Sequence, residues 1–136
     1  MKEITIDATV DNVAVVTDFV NEELQKIGCS DKAMRQIDIV IDELFSNIAF
    51  YAYNPGDGSV TMTVDVTDHP ISVVITFMDN GKPFNPLAAA EPDTSLSAED
   101  RKIGGLGIFL VKKTMDEVSY EFKDGKNIIQ IKKCVN

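Results

Sequence analysis

Cysteine and histidine are scarce: the chain of 136 residues holds two cysteines, Cys29 and Cys134, and one histidine, His69. The cysteines stand far apart, with no Cys or His at ligand spacing. That excludes a disulfide scaffold, a zinc site and a thiol–imidazole pair, and places the chain in a reducing compartment, the cytoplasm. His69 precedes Pro70 between two strand-like runs and reads as a turn residue. Long apolar runs are missing as well. Nothing approaches the roughly 18 residues of a membrane helix, and Met1–Asp7 carries charge where a signal peptide would be greasy, so the protein is expected to be neither exported nor inserted. Basic charge is in deficit: 13 Lys and Arg against 22 Asp and Glu give a net charge of −9. Without a basic footprint, neither nucleic acid nor an anionic membrane is an expected partner. Residues 1–68 hold 4 basic and 13 acidic groups, whereas residues 69–136 hold 9 of each. An anion fits the second half better, and a cation or a basic protein partner the first.

What the chain does have is the composition of one globule, 44% hydrophobic and 26% charged. A domain of this length buries roughly two thirds of its unfolded surface without staples. Residues 2–8 alternate, with Ile4, Ile6 and Ala8 on one side, which predicts a strand. Asp11 or Asn12 then caps a helix to Ile27, whose apolar positions Val13, Val16, Val20 and Leu24 follow helical spacing, and Gly28 stops it. Ser30 or Asp31 caps a longer helix to Tyr53, with Met34, Ile37, Ile41, Leu44 and Ile48 as its buried stripe. The turn Asn54-Pro55-Gly56-Asp57-Gly58 leads into a period-two run, Val60, Met62, Val64 and Val66, and Asp68-His69-Pro70 into a second run over 71–78. These two read as antiparallel neighbours. Residues 80–103 show no sustained periodicity beyond one helical turn that Ser97 and Asp100 can cap, the mark of a lid or of disorder. Gly104-Gly105-Leu106-Gly107 opens a helix to Met115. A strand over 118–122, a Lys123-Asp124-Gly125-Lys126 turn and a strand over 128–132 follow. With no repeat or linker, residues 1–136 are expected to form one α+β domain. Its architecture is a two-layer sandwich, with about three helices over one face of a mixed, mostly antiparallel sheet.

Three places could carry chemistry. Glu43 and Asn47, four apart, leave the same helix face, and Tyr51 extends the row by a turn. An amide oxygen is a hard ligand suited to magnesium, and a neighbouring carboxylate can take a proton from a hydroxyl. The polar edge of any amphipathic helix looks the same. Asp79 closes an apolar strand ahead of Asn80 and Gly81. A buried carboxylate there can accept a hydrogen bond from an exocyclic amine such as that of adenine, while Gly81 lets a ring approach the backbone. The triplet is equally an ordinary turn. Gly104, Gly105 and Gly107 begin a helix whose bare amides make a phosphate cradle, with Arg101 and Lys102 just upstream. A hinge, or a weak dinucleotide fingerprint with Leu110 in place of the third glycine, would read alike. The order of all three fits a nucleotide site better than three accidents do.

Three segments resemble the nucleotide-binding boxes of the GHKL ATPase superfamily. They are Asp42-Glu43-Leu44-Phe45-Ser46-Asn47, then Asp79-Asn80-Gly81-Lys82-Pro83-Phe84-Asn85-Pro86-Leu87, then Gly104-Gly105-Leu106-Gly107 continuing to Val118. Within that superfamily the Pro83-Phe84 and the Met115-Asp116-Glu117-Val118 are similar to those of the anti-sigma factor serine kinases, and the likeness covers essentially the whole chain. The resemblance implies a histidine-kinase-like ATPase fold using ATP and Mg²⁺. It makes Glu43 the catalytic base and Asn47 the magnesium ligand. Asp79 would receive the adenine amine, Gly81 would shape the base pocket, and Gly105 and Gly107 would free backbone amides for the phosphates. Phe84, Lys102, Gly104, Leu106 and Ile108 complete the implied nucleotide-contacting set, beneath a lid over 88–103. Tyr51 departs from the histidine usual in relatives, Lys112 from arginine, and Pro83 from the glycine of the histidine-kinase version. The implied activity is phosphorylation of an anti-anti-sigma protein together with sequestration of a sigma factor, in a homodimer. A non-catalytic ATP-binding switch module that controls partner affinity is the alternative.

Overall fold

A computed structural model describes residues 1–53, 57–68, 70–88 and 105–135. Its five-stranded sheet has the order β1-β2-β3-β5-β4, with β1 Lys2–Asp7, β2 Ser59–Thr67, β3 Ser72–Asp79, β4 Glu117–Lys123 and β5 Lys126–Cys134. The helices are α1 Val13–Lys26, α2 Asp31–Asn47 and α3 Gly105–Thr114. All four strand pairings are antiparallel, so the parallel component of the expected mixed sheet is not there. The reason is topological. The crossover from β3 through α3 to β4 does bring β4 round in the direction of β3, but it skips one position. The hairpin return β5 fills that gap, turning at Asp124 and Gly125 with φ of 55° and 78°, as a two-residue hairpin loop requires.

Strand alternation sends Val60, Met62 and Val64 of β2, Val73, Ile75 and Phe77 of β3, and Ile129 and Ile131 of β5 into the core, all buried. They meet Val16, Val20 and Leu24 of α1, Ile37, Ile41, Leu44 and Phe45 of α2, and Ile108 and Val111 of α3. Each large apolar side chain so enclosed contributes about 1.5–3 kcal/mol. The opposite face carries threonines and a glutamine, with Thr5 Oγ1 2.9 Å from Thr61 Oγ1 and Gln130 Nε2 donating to Thr76 Oγ1 at 3.1 Å.

Ser30 caps α2 as its position predicts, its Oγ accepting from Ala33 N at 3.2 Å. At α1 the expected cap does not form. A 3-10 turn over Val10–Asn12 leads into the helix, and Asn12 Nδ2 reaches back to Asp7 O at 2.8 Å. After Asn47 the long helix widens into a π turn, Ile48–Ala52. Asn54, Pro55, Gly56 and His69, with the turns assigned to them, lie outside the described residues, as do Ser97 and Asp100. Among the described residues, no helix is long and apolar enough to cross a membrane.

Candidate active site

The α2 helix delivers Glu43 and Asn47 to one face, as their spacing predicts, and Asn47 Nδ2 donates to Glu43 Oε1 at 3.3 Å. Asn47 is buried, at 8% exposure. Burial pushes the Glu43 carboxyl above its ordinary 4.5; the Asn47 hydrogen bond opposes that rise and the charge of Asp42 adds to it. The start of α3 closes over this pair. A Cβ on Gly107 would stand 2.2 Å from both Cδ and Oε2 of Glu43, so a side chain there would displace that carboxylate. Gly105 and Leu106 take the first positions of α3, where amides have no partner within the helix. Ile108 sends its side chain into the core, at 3% exposure, and could meet a ligand through its backbone alone.

Tyr51, expected to extend this row, lies within the π turn, its ring 5.7 Å from that of Phe84 and 6.3 Å from that of Phe50. The same turn aims main-chain groups at the end of β3. Ala52 O accepts from Lys82 N at 3.0 Å, and Tyr53 Oη accepts from Asn80 N at 2.8 Å while donating to Ser59 O at 2.7 Å. A Cβ on Gly81 would meet Ala52 O at 2.4 Å. Here too glycine is demanded by close approach, in this case to backbone.

Asp79, at 4% exposure, ends β3 on the helix side of the sheet. Its Oδ1 accepts from Gly81 N at 2.9 Å and from Asn127 Nδ2 at 2.9 Å. Burial raises its carboxyl above the ordinary 3.8, against both of those hydrogen bonds. Asn127, paired with Asp79 across β3 and β5, also donates to Lys82 O at 2.9 Å; its Oδ1 accepts from Phe84 N at 3.1 Å and from Tyr120 Oη at 2.5 Å. Asn127, Tyr120 and Tyr53 escape a reading of the sequence, although an asparagine in the same alternate row as Ile129 and Ile131 was a visible signal. Lys112, at the arginine position, donates from Nζ to Leu87 O at 2.7 Å and so ties α3 to the 3-10 turn Pro86–Ala88.

Lys102, Gly104 and the expected lid beyond Ala88 lie outside the described residues. One depression on the described surface is lined by Asp79 and Asn80 together with Ser59, Met78 and Lys126. Another, of about 450 Å³, is lined by Val74, Glu117, Ser119 and Lys132, away from Glu43. For a divalent cation the donor set fits in part. Asn47 spends Nδ2 on Glu43, which leaves its amide oxygen as a hard donor. Among the described residues no three or more His, Cys, Asp or Glu side chains cluster into a cage. An ion held there would take its remaining ligands from phosphate and water, as magnesium commonly does.

Three helices over one face of an antiparallel sheet define a class, the two-layer α+β sandwiches. A model of the histidine kinase-like ATPase domain matches residues 6–133. The chain belongs to that family. Its similar proteins include the serine/threonine-protein kinase BtrW of Bordetella bronchiseptica, 33% identical over 87 residues, which are 63% of this chain and 60% of BtrW. The serine-protein kinase RsbW of Halalkalibacterium halodurans is 28% identical over 131 residues, 93% of this chain and 78% of that protein. RsbW of Listeria monocytogenes is 27% identical over 112 residues, 79% of this chain and 70% of that protein. Among solved structures, that of the RsbU and RsbW domains of Rv1364c from Mycobacterium tuberculosis superposes with a TM-score of 0.65 at 16% identity, covering 98% of this chain and 32% of that one. At that identity the likeness speaks for the fold.

Proposed function

We propose that this chain is a cytoplasmic, homodimeric protein-serine kinase and anti-sigma factor that uses ATP and Mg²⁺ to phosphorylate an anti-anti-sigma protein. The observation that carries the reading is the Glu43 carboxylate, bonded by Asn47 and lying against the bare backbone of Gly107 at the start of α3. An ordinary glutamate is a weak base toward an alcohol; burial of Glu43 raises its proton affinity toward the working pH. In the transfer the serine oxygen bonds the γ-phosphorus, the bond to the β–γ bridging oxygen breaks, and ADP leaves with that electron pair. The hydroxyl proton passes to Glu43. Asn47 would orient the carboxylate, and the amides of Gly105, Leu106 and Gly107, which have no partner within the helix, would face phosphate charge. A magnesium ion on Asn47 would neutralise triphosphate oxygens. Asp79 would receive the adenine amine. The serine-protein kinases among the relatives support the substrate class.

Phosphate adds about two negative charges to its acceptor, and the excess acid of residues 1–68 would then repel the product. Such release is what exchanging one partner for another, with its effect on transcription, requires. The test is labelled ATP with Mg²⁺ and candidate anti-anti-sigma proteins. Label on a serine with the wild type, and none with Glu43→Gln, supports the kinase. ATP uptake without transfer to any cognate partner leaves the non-catalytic switch module.

A further inference from the structure

The amide of Asn127 is saturated, and that fixes its orientation. Its Oδ1 meets two donors, Phe84 N–H and Tyr120 O–H, so Nδ2 must face acceptors, Asp79 Oδ1 and Lys82 O at 2.9 Å and Gly81 O at 3.5 Å. The constraint passes on to the carboxylate. Asp79 Oδ1 now receives two N–H donors, from Asn127 and Gly81, and must remain an acceptor. Oδ2 has no partner among the described residues and is the atom left for a ligand. A proton added to this carboxyl can therefore go only to Oδ2, which would turn it from acceptor into donor. The side chain that receives the base would then prefer a carbonyl where it had preferred an amine.

From this geometry we infer that Asn127, backed by Tyr120, is the specificity-positioning residue of the site: it keeps Asp79 Oδ2 an acceptor and so selects 6-aminopurine over 6-oxopurine nucleotides. The inference rests on the nucleotide-binding reading of Asp79 given above. It adds a residue on β5 that contacts the carboxylate rather than the base. Burial of Asp79 favours its protonation, and the Asn127 hydrogen bond counters that tendency. Other titratable groups near Asp79 are Tyr53 on the π turn and Tyr120 on β4, with Glu3 of β1 and Lys126 of β5 along the groove that Asp79 shares with Asn80. None of them donates to Oδ2.

The experiment measures binding of ATP and of inosine triphosphate, which differ in the 6-substituent, by calorimetry from pH 5.5 to 8.5. The proteins are wild type, Asn127→Leu and Tyr120→Phe. Wild type is expected to prefer ATP by roughly 10- to 100-fold at pH 7.5, the effect of one mismatched buried hydrogen bond. In Asn127→Leu that ratio falls by about 3- to 10-fold, the worth of one lost hydrogen bond. Its fall on acidification also begins at higher pH than in wild type, a movement that loss of packing alone would not produce. Tyr120→Phe moves both readouts the same way by a smaller amount, and supplies the test should Asn127→Leu not fold. Unchanged selectivity and an unchanged pH profile in the folded variants overturn the role of Asn127 and leave nucleotide binding intact. No uptake of ATP by folded wild type overturns the nucleotide reading and this inference with it.

Discussion

The two carboxylates of the site are held in opposite ways. Asp79 sits in a finished frame: two donors fix one of its oxygens, a saturated asparagine stands behind it, and the π turn grips the adjoining loop through Ala52 and Tyr53. Among the described residues Glu43 has one side-chain bond, 3.3 Å long, and a glycine backbone across it. The first arrangement is held by several buried donors, whereas the second rests on the end of one side chain and a single long bond among the described residues. Rigid recognition at one end with an adjustable group at the other is what a transfer enzyme needs, because positioning of the base costs least when it is prepaid. Chemistry must still admit a second substrate.

The largest expected effect comes from Glu43→Gln, which keeps the shape and the Asn47 contact but cannot take a proton. Transfer to serine should fall by about 10²- to 10⁴-fold, with ATP affinity within about threefold, measured by phosphoserine formation and calorimetry. The same variant carries a pH signature. Burial raises the folded-state value of Glu43, so the folded protein holds that proton more tightly than the unfolded chain. Ionised Glu43 therefore weakens the fold at neutral pH, and the penalty is relieved as pH falls through the raised value toward the ordinary 4.5 and below. Glu43→Gln should melt higher than wild type at pH 7, and the two curves should converge on acidification. Parallel curves would show that the carboxylate is not in the half-buried position described.

Two glycine substitutions set the ends against each other. At Gly81 the obstacle is the Ala52 carbonyl, which cannot rotate away. Gly81→Ala should cost about 1–3 kcal/mol in denaturant unfolding, the usual penalty of overpacking, and should weaken ATP binding with it. At Gly107 the obstacle is the far end of a flexible side chain. Gly107→Ala should leave the unfolding midpoint nearly unchanged but displace Glu43 and slow transfer, by roughly 10- to 100-fold if the carboxylate moves by an ångström. Equal stability losses in both variants would erase the distinction between a rigid and a yielding end.

The legible parts of this molecule were those with a period. The alternation of β2 and β3, the 37–41–44–48 stripe of α2 and the 43–47 pair all emerge from spacing, because side-chain direction in regular backbone is fixed by it. The misses come from irregular backbone and long-range pairing. No local rule announces that α2 widens at Ile48, and that widening decides where Tyr51, Ala52 and Tyr53 point. Nor can spacing tell that β5 inserts between β3 and β4, which is what sets Asn127 opposite Asp79. The cap expected at Asn12 lost to a partner five residues back, the Asp7 carbonyl. Glycine was legible as a residue type but not in its reason. Gly81 meets backbone too closely for a Cβ, whereas Gly107 meets the end of the Glu43 side chain.

The smallest expected effect probes how much of the rigid end depends on one hydroxyl. Tyr53 Oη links Ser59 O to Asn80 N, and so joins the end of the π turn to the starts of β2 and of the strand-end loop. Tyr53→Phe keeps the ring and removes that link. Asn80 is exposed, so water can replace the donor's lost partner, and the cost should sit near the low end for a hydrogen bond, about 1 kcal/mol. Amide exchange at Asn80 should quicken while exchange within β3 does not, since only the link outside the ladder is lost. Because Gly81 and Asn127 still hold Asp79, ATP affinity should drop less than in Gly81→Ala and the preference over inosine triphosphate should persist. A loss of affinity as large as that of Gly81→Ala would mean that the frame around Asp79 is no stiffer than the contact at Glu43, its order resting on a single bond as well.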